Sequence, residues 1–258
     1  MTGPLRSAAP LVSRSVLSDE TYGVISNLVL EHRIPPGSRV NIDSLSAQLG
    51  VSPTPVREAL ARLESDGLVV KTPLRGYSTT PLLTVKEFVE LGQFRVLIEQ
   101  WTAAESAKSV APSVADELRA EVAATRESLG VQEAGADAFR TLTEHDTRFH
   151  GLIARLAGNE LIAQSIERTH FHLHFLRLYL ASRNLESNLD APASQTLRRV
   201  LGEFERAGRV SHTIDDHAAI AEAIIAGDGE TAADLMREHI EIGRRRFLPI
   251  VEILNSID

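Results

Sequence analysis

The sequence predicts a mainly α protein in two parts: an N-terminal winged helix-turn-helix, with three helices and a two-stranded wing, followed by an all-α bundle of six or seven helices. Three observations lead there. At 258 residues the chain exceeds the usual size of one domain, so two separate cores are expected. Two short β-rich runs joined by a glycine-containing loop precede Pro81. From Thr84 onward nothing reads as strand, and apolar residues recur at helical spacing. The expected division is a flexible lead-in over 1–17, a winged domain over 18–80 and a helical domain over 84–258.

In the first part, Val24, Ile25, Leu28 and Val29 mark a helix from about Leu17 to Ile34, with Ser18 placed to cap it. Pro35-Pro36-Gly37 stops it. A short segment, 38–41, leads to a two-turn helix beginning at Asp43 and ended by Gly50, which reaches left-handed geometry most cheaply. Ser52 is a good N-cap and Pro53 suits the first helical position, so a third helix runs to about Asp66, with Gly67 beyond it. The wing strands are 68–72 and 77–80, joined by the hairpin loop 73–76. In the second part, Thr84 and Glu87 form a capping box for a long helix reaching about Ser109. Further helices start near Ser113, Ala136, Glu160, Gln195 and Ser211, and the last follows Gly227-Asp228-Gly229.

Composition narrows the function. Apolar residues at 43% and charged residues at 24% are ordinary for a globular protein, and no apolar run is long enough for a membrane span or signal peptide. The absence of cysteine removes disulfides, thiolate metal sites and cysteine nucleophiles. A cytoplasmic protein with no membrane partner is expected. The net charge of −8 argues against nucleic acid until it is divided along the chain. Residues 1–80 hold eight Lys/Arg against seven Asp/Glu, and residues 81–258 hold 19 against 28. DNA affinity would therefore come from a few placed cations rather than from a basic surface.

Those cations sit where a major groove would meet them. At the start of the third helix Ser52 and Thr54 can donate to phosphate oxygens beside the free backbone N–H groups, and Arg57 can reach guanine O6 and N7 with two donors. Arg75 at the wing tip can enter the minor groove or clamp a phosphate. A merely structural helix corner, with Arg57 paired to Glu58 or Glu64, is the alternative. The stretch from Tyr22 to Thr80 closely resembles the DNA-binding domain of GntR-type bacterial regulators. The resemblance rests on Pro36-Gly37, Leu45-Ser-Ala-Gln-Leu-Gly-Val51, Ser52-Pro-Thr-Pro-Val-Arg-Glu-Ala-Leu60, Asp66-Gly-Leu-Val69 and Arg75-Gly-Tyr77. It implies that Ser52, Thr54, Arg57, Arg75 and Gly76 touch double-stranded operator DNA. Asp43 and Pro53 stand where the best-known fatty-acid-responsive member has arginines, which implies a different operator and fewer cationic contacts.

Nine histidines occur, nearly all beyond residue 144. Asp146 and His150, four apart on one helix, put a carboxylate and an imidazole on one face, a spacing that can grip one metal ion. His217 and His239 each lie eleven residues from Asp228, so an antiparallel hairpin turning there brings them level. Three imidazoles and a carboxylate suit a divalent metal, Zn foremost, with Ni, Mn or Fe as alternatives. By the same counting His170 can lie level with the site, and His170, His172 and His174 read as pocket lining or partly exposed. Arg95 can anchor an effector carboxylate or pair with Glu99 one turn on.

Residues 84–250 are similar to the all-helical effector domain of the FadR subfamily of GntR regulators, the FCD type, through Arg95-Val-Leu-Ile-Glu99, Asp146-Thr-Arg-Phe-His150, Gly158-Asn159, His217-Ala-Ala-Ile220, Gly227-Asp228 and His239. The resemblance implies that Asp146, His150, His217 and His239 are metal ligands and that a small organic acid effector binds beside the ion. The expected function is a homodimeric, ligand-responsive transcription regulator that is not an enzyme. The competing expectation is a metal-dependent hydrolase built on the helical domain, since an ion with open positions can activate water.

Overall fold

The computed structural model describes residues 14–108, 110–132, 135–185, 191–207 and 212–257. The chain divides into two compact units after Pro81. The first contains α1 (Arg14–Leu30), β1 (Arg39–Val40), α2 (Ile42–Leu49), α3 (Pro53–Ser65), β2 (Val69–Thr72) and β3 (Gly76–Thr79). Helix α1 packs on α3. Tyr22 donates to Asp66 Oδ2 at 2.6 Å, and Arg62 pairs with Asp19 at 2.6 Å while its guanidinium lies 4.1 Å from the Tyr22 ring centre. Ile25, Val56, Leu60 and Leu63 are completely buried beneath these contacts.

Three local expectations are corrected. Ser18 lies inside α1, which already begins at Arg14, so it caps nothing, and residues 14–17 of the expected lead-in are helical; its first thirteen residues fall outside those described. Asn41, not Asp43, starts α2, its side chain accepting from the Ser44 N–H at 3.0 Å. The wing has a third strand, with order β1-β3-β2 and antiparallel registers Val40 to Tyr77 and Val70 to Ser78. Two residues are too few to show a period of two, which is why β1 was not apparent. Thr79 anchors the arrangement: its hydroxyl donates to Pro35 O and accepts from the Ser38 N–H. Gly50 takes φ +67° at the end of α2, where an L side chain would be strained.

The second unit contains α4 (Val85–Ser106), α5 (Pro112–Val131), α6 (Ala136–Leu156), α7 (Glu160–Glu167), α8 (Phe171–Leu185), α9 (Ala191–Ala207), α10 (His212–Ile225) and α11 (Gly229–Asn255). That is eight helices among the described residues where six or seven were expected. The extra one arises at His170, whose φ of +46° breaks the stretch after Glu160 into α7 and α8 without a glycine or proline. The capping box at Thr84 is complete, with Glu87 accepting from the Thr84 N–H at 2.9 Å and Thr84 accepting from the Glu87 N–H at 3.2 Å. Helix α11 runs along α4, and Asn255 closes the pair by accepting from the Val85 N–H and donating to Leu83 O. A single apolar cluster including Leu118, Phe149, Ile153, Ile220, Ile224 and Met236 fills the space between α4, α5, α6, α10 and α11.

Candidate nucleic-acid interface and metal centre

Ser52, at the N-cap of α3, is exposed, and its hydroxyl makes no capping hydrogen bond. Thr54 and Arg57 are exposed on the same end of the helix, while Pro55, Val56, Ala59 and Leu60 face the core. Arg57 has no ion-pair or hydrogen-bond partner among the described residues, and the expected pairing with Glu58 or Glu64 is not formed. The start of α3, where Pro53 and Pro55 carry no N–H, therefore presents two hydroxyls together with a guanidinium that is unpaired among the described residues. Arg75 and Gly76 are exposed at the tip of the wing, next to Leu74 in left-handed geometry with its side chain fully in solvent.

In the helical unit, α10 and α11 form the antiparallel hairpin that residue counting requires, turning at Gly227 with φ +77°. It brings His217 Nε2 to 3.1 Å from His239 Nε2. Helix α6 adds His150 from the other side. One ring nitrogen from each of the three histidines lies within 4.8 Å of the other two, and Asp146 Oδ1 is 3.7 Å from His217 Nε2.

The outer nitrogens decide how these rings are protonated. His150 Nδ1 donates to Glu99 Oε2 at 2.5 Å, and His239 Nδ1 to Asp216 Oδ2 at 3.3 Å. His217 Nδ1 donates to His145 Nε2 at 2.8 Å, and His145 Nδ1 in turn to Glu121 Oε1 at 2.9 Å. Each acceptor fixes its imidazole as the Nδ1–H tautomer and leaves a lone pair on Nε2. Three such lone pairs then face one another and repel. His150 Nε2 and Asp146 Oδ1 are buried with no hydrogen-bond partner at all, a costly arrangement unless a cation lies among them. Ligands about 2.1 Å from a common ion stand roughly 3 to 4 Å apart, so the residues present fit a metal.

The electrostatics agree. Burial pushes His150 and His217 below the ordinary imidazole range, keeping both neutral as ligands must be. Burial would raise the Glu99 carboxyl, but the Arg95 guanidinium and His150 hold it well below the usual range. Arg95 donates to both Glu99 oxygens at 2.6 and 3.3 Å and lies 3.1 Å from the Phe171 ring centre, so it reaches His150 through Glu99. His172, rather than His170, comes to the cluster: its Nδ1 is 3.6 Å from Asp146 Oδ2, without a hydrogen-bond partner. The break at His170 starts α8 one residue later and turns His172 inward. His145, Glu121 and Asp216 were not assigned from sequence, and His172 was read only as pocket lining or partly exposed; it is buried and lines the site. The only available signal was the adjacency of His145 to Asp146 and of Asp216 to His217.

A winged helix-turn-helix on one unit and a buried ligand cluster on another define, as a class, a DNA-binding transcription regulator. Comparison with known proteins makes this specific. A model of the FCD domain matches residues 90–242, and a model of the gntR family of bacterial regulatory proteins matches residues 17–77. The chain belongs to the GntR family of bacterial transcription regulators, with an FCD domain. The Nta operon transcriptional regulator of Aminobacter aminovorans is 30% identical over 58% of this chain and 68% of its own length. The HTH-type transcriptional repressor GlaR of Escherichia coli is 24% identical over 88% and 93%. The fold is shared with E. coli McbR/YncC, at TM-score 0.57 and 18% identity over 96% of this chain and all of that one. A GntR regulator from Rhodococcus sp. RHA1 also shares it, at TM-score 0.55 and 19% identity over 93% and 98%. These matches are regulators, and none supports the hydrolase alternative. No described helix is long and apolar enough to cross a membrane.

Proposed function

We propose that two copies of the chain bind a two-fold symmetric operator in the cytoplasm, with DNA affinity set by a small organic acid held beside a divalent ion. Asp146, His150, His217 and His239 would hold the ion. The observation that carries the reading is the convergence of three Nε2 lone pairs whose Nδ1 protons are all committed to outer acceptors. When bound, the ion supplies positive charge and open coordination positions to a carboxylate; Zn, Ni, Mn and Fe all suit three nitrogens and one oxygen. The protein's own part is orientation: Glu99, His145 and Asp216 aim the three rings, and Arg95 restrains Glu99.

On the DNA side, Arg57 reads a base edge, Ser52 and Thr54 hold phosphates, and Arg75 with Gly76 places the wing. The dimer is supported by a stripe on α4: Leu97 and Trp101 are exposed at 66% and 39%, with Phe94 and Ile98 half-buried on the same face. Fluorescence anisotropy with DNA from upstream of the chain's own gene tests the reading. Arg57→Ala is expected to weaken binding by about 1–3 kcal/mol, roughly 5- to 150-fold, and wild-type affinity to fall steeply with salt. Binding that ignores both salt and Arg57 would overturn it. For the ion, dialysis against a chelator should lower the Tm of the full chain and added Zn should restore it. A Tm indifferent to both would remove the metal from the reading.

A further inference from the structure

Beside the histidine cluster lies a cleft of about 630 Å³, counting its open mouth. Asp146, His172, Asp216 and His239 line it at the metal end. Phe139, Phe175, Phe247 and Ile240 form an apolar wall, and Thr143 and Thr213 add hydroxyls to the lining. Two further residues on α11 decide what it would take.

Gly243 lies four residues after His239, on the same helix face and in the helix interior, where glycine costs about 1 kcal/mol relative to alanine. Two other glycines of the bundle make room for the protein's own atoms: a Cβ on Gly92 would lie 2.6 Å from Arg244 Cδ, and one on Gly229 would lie 2.9 Å from Ala104 O. A Cβ on Gly243 would meet nothing within 4 Å. The missing side chain at 243 therefore serves no internal packing. It widens the cleft.

Arg246 lies seven residues after His239, two turns on and roughly 10 Å further along the same face. It is half-buried in the cleft wall and has no hydrogen-bond or ion-pair partner among the described residues. Arg95, at the metal end of the cleft, already has Glu99 as its counter-ion. A half-buried guanidinium with no counter-ion among the described residues favours a ligand that brings one.

We infer that the effector is an aromatic acid with a second anionic group at the opposite end of its ring. This deepens the effector reading above and rests on it. One carboxylate faces the metal end, the ring lies over Gly243 between the phenylalanines, and the second anion pairs with Arg246. Short hydroxy acids and sugar acids bring neither the ring that the phenylalanines would hold nor the second anion that Arg246 would pair with.

Isothermal titration calorimetry on the metal-loaded full chain, with benzene-1,4-dicarboxylate, benzoate, lactate and gluconate as probes, tests this. The diacid should bind at least tenfold more tightly than any of the other three. Arg246→Gln should abolish its advantage over benzoate. Gly243→Leu should weaken both aromatic acids more than tenfold, while metal content stays unchanged and the ligand-free Tm is at least that of wild type. Lactate or gluconate binding more tightly than the aromatic acids, or diacid affinity unmoved by both substitutions, would overturn this inference and leave the effector reading standing. If none of the four acids binds the metal-loaded protein, both fall.

Discussion

At the scale of single residues, the assignment of the metal centre depends on atoms that would never touch the ion. His145 is completely buried, and its Nε2 takes the proton of His217 while its Nδ1 gives one to Glu121. Arg148 holds Glu121 in place at 2.9 and 3.1 Å. Replacing His145 by Phe keeps the ring's bulk and removes the acceptor, so the tautomer of His217 is no longer fixed. Metal affinity in a chelator competition should fall about 10- to 100-fold, with the helical circular-dichroism signal unchanged. An unchanged affinity would show that His217 needs no such restraint. His174 supports a prediction about pH. Burial, helped by the charge of Arg177, pushes its imidazole down from 6.5 to about 4. Below 6.5 the unfolded chain takes up a proton that the folded chain refuses until about 4, so stability is full above 6.5 and falls as pH drops through that window. In urea titrations of metal-stripped protein at about pH 7 and about pH 5, His174→Leu should lose less stability between the two than wild type does. The inner residues of the site were legible because each recurs at a helical or hairpin interval. Glu121 and His145 were not, and of Glu99 only its pairing with Arg95 was, because their contacts with the histidines join α4, α5, α6 and α10, which no local pattern encodes.

At the scale of elements, what the sequence shows depends on whether a boundary has its own chemistry. The start of α3 at Pro53, the end of α2 at Gly50 and the capping box of α4 were readable because proline, glycine and cap residues mark those boundaries, although the Ser52 hydroxyl itself makes no capping bond. The break between α7 and α8 was not, since His170 adopts a positive φ that its residue type does not announce. The close packing of α11 against α4 was equally hidden, because it depends on which glycine meets which backbone. Gly229→Ala would drive a Cβ against the Ala104 carbonyl, which can move only with its helix. A loss of about 1–3 kcal/mol and a Tm lower by several degrees are expected in a thermal melt. Gly92→Ala meets the flexible Arg244 side chain instead and should cost clearly less, so equal losses would contradict the packing described here.

At the scale of the whole molecule, the net charge of −8 and the DNA-binding role are compatible because the acidity lies beyond residue 80, while Arg57 of α3 and Arg75 of the wing are exposed and unpaired among the described residues. Two-fold assembly, as proposed, would double those few contacts and so would have a direct energetic purpose. Trp101, the only tryptophan, reports on it. Its emission should shift to the red on dilution below the dimer dissociation constant, and Leu97→Glu should produce monomers in sedimentation at concentrations where wild type is dimeric. A monodisperse dimer of Leu97→Glu would move the interface elsewhere. The turn between α10 and α11 makes chain length, as much as residue identity, part of the specification. Each residue of a helix advances its side chains by about 100°, so one extra residue between Asp228 and His239 would swing that imidazole away from its two companions without altering any of the side chains that surround it. Insertions and deletions in those ten positions should therefore be rarer among functioning relatives than substitutions there. Four residues added together, close to one full turn, should be tolerated better than one.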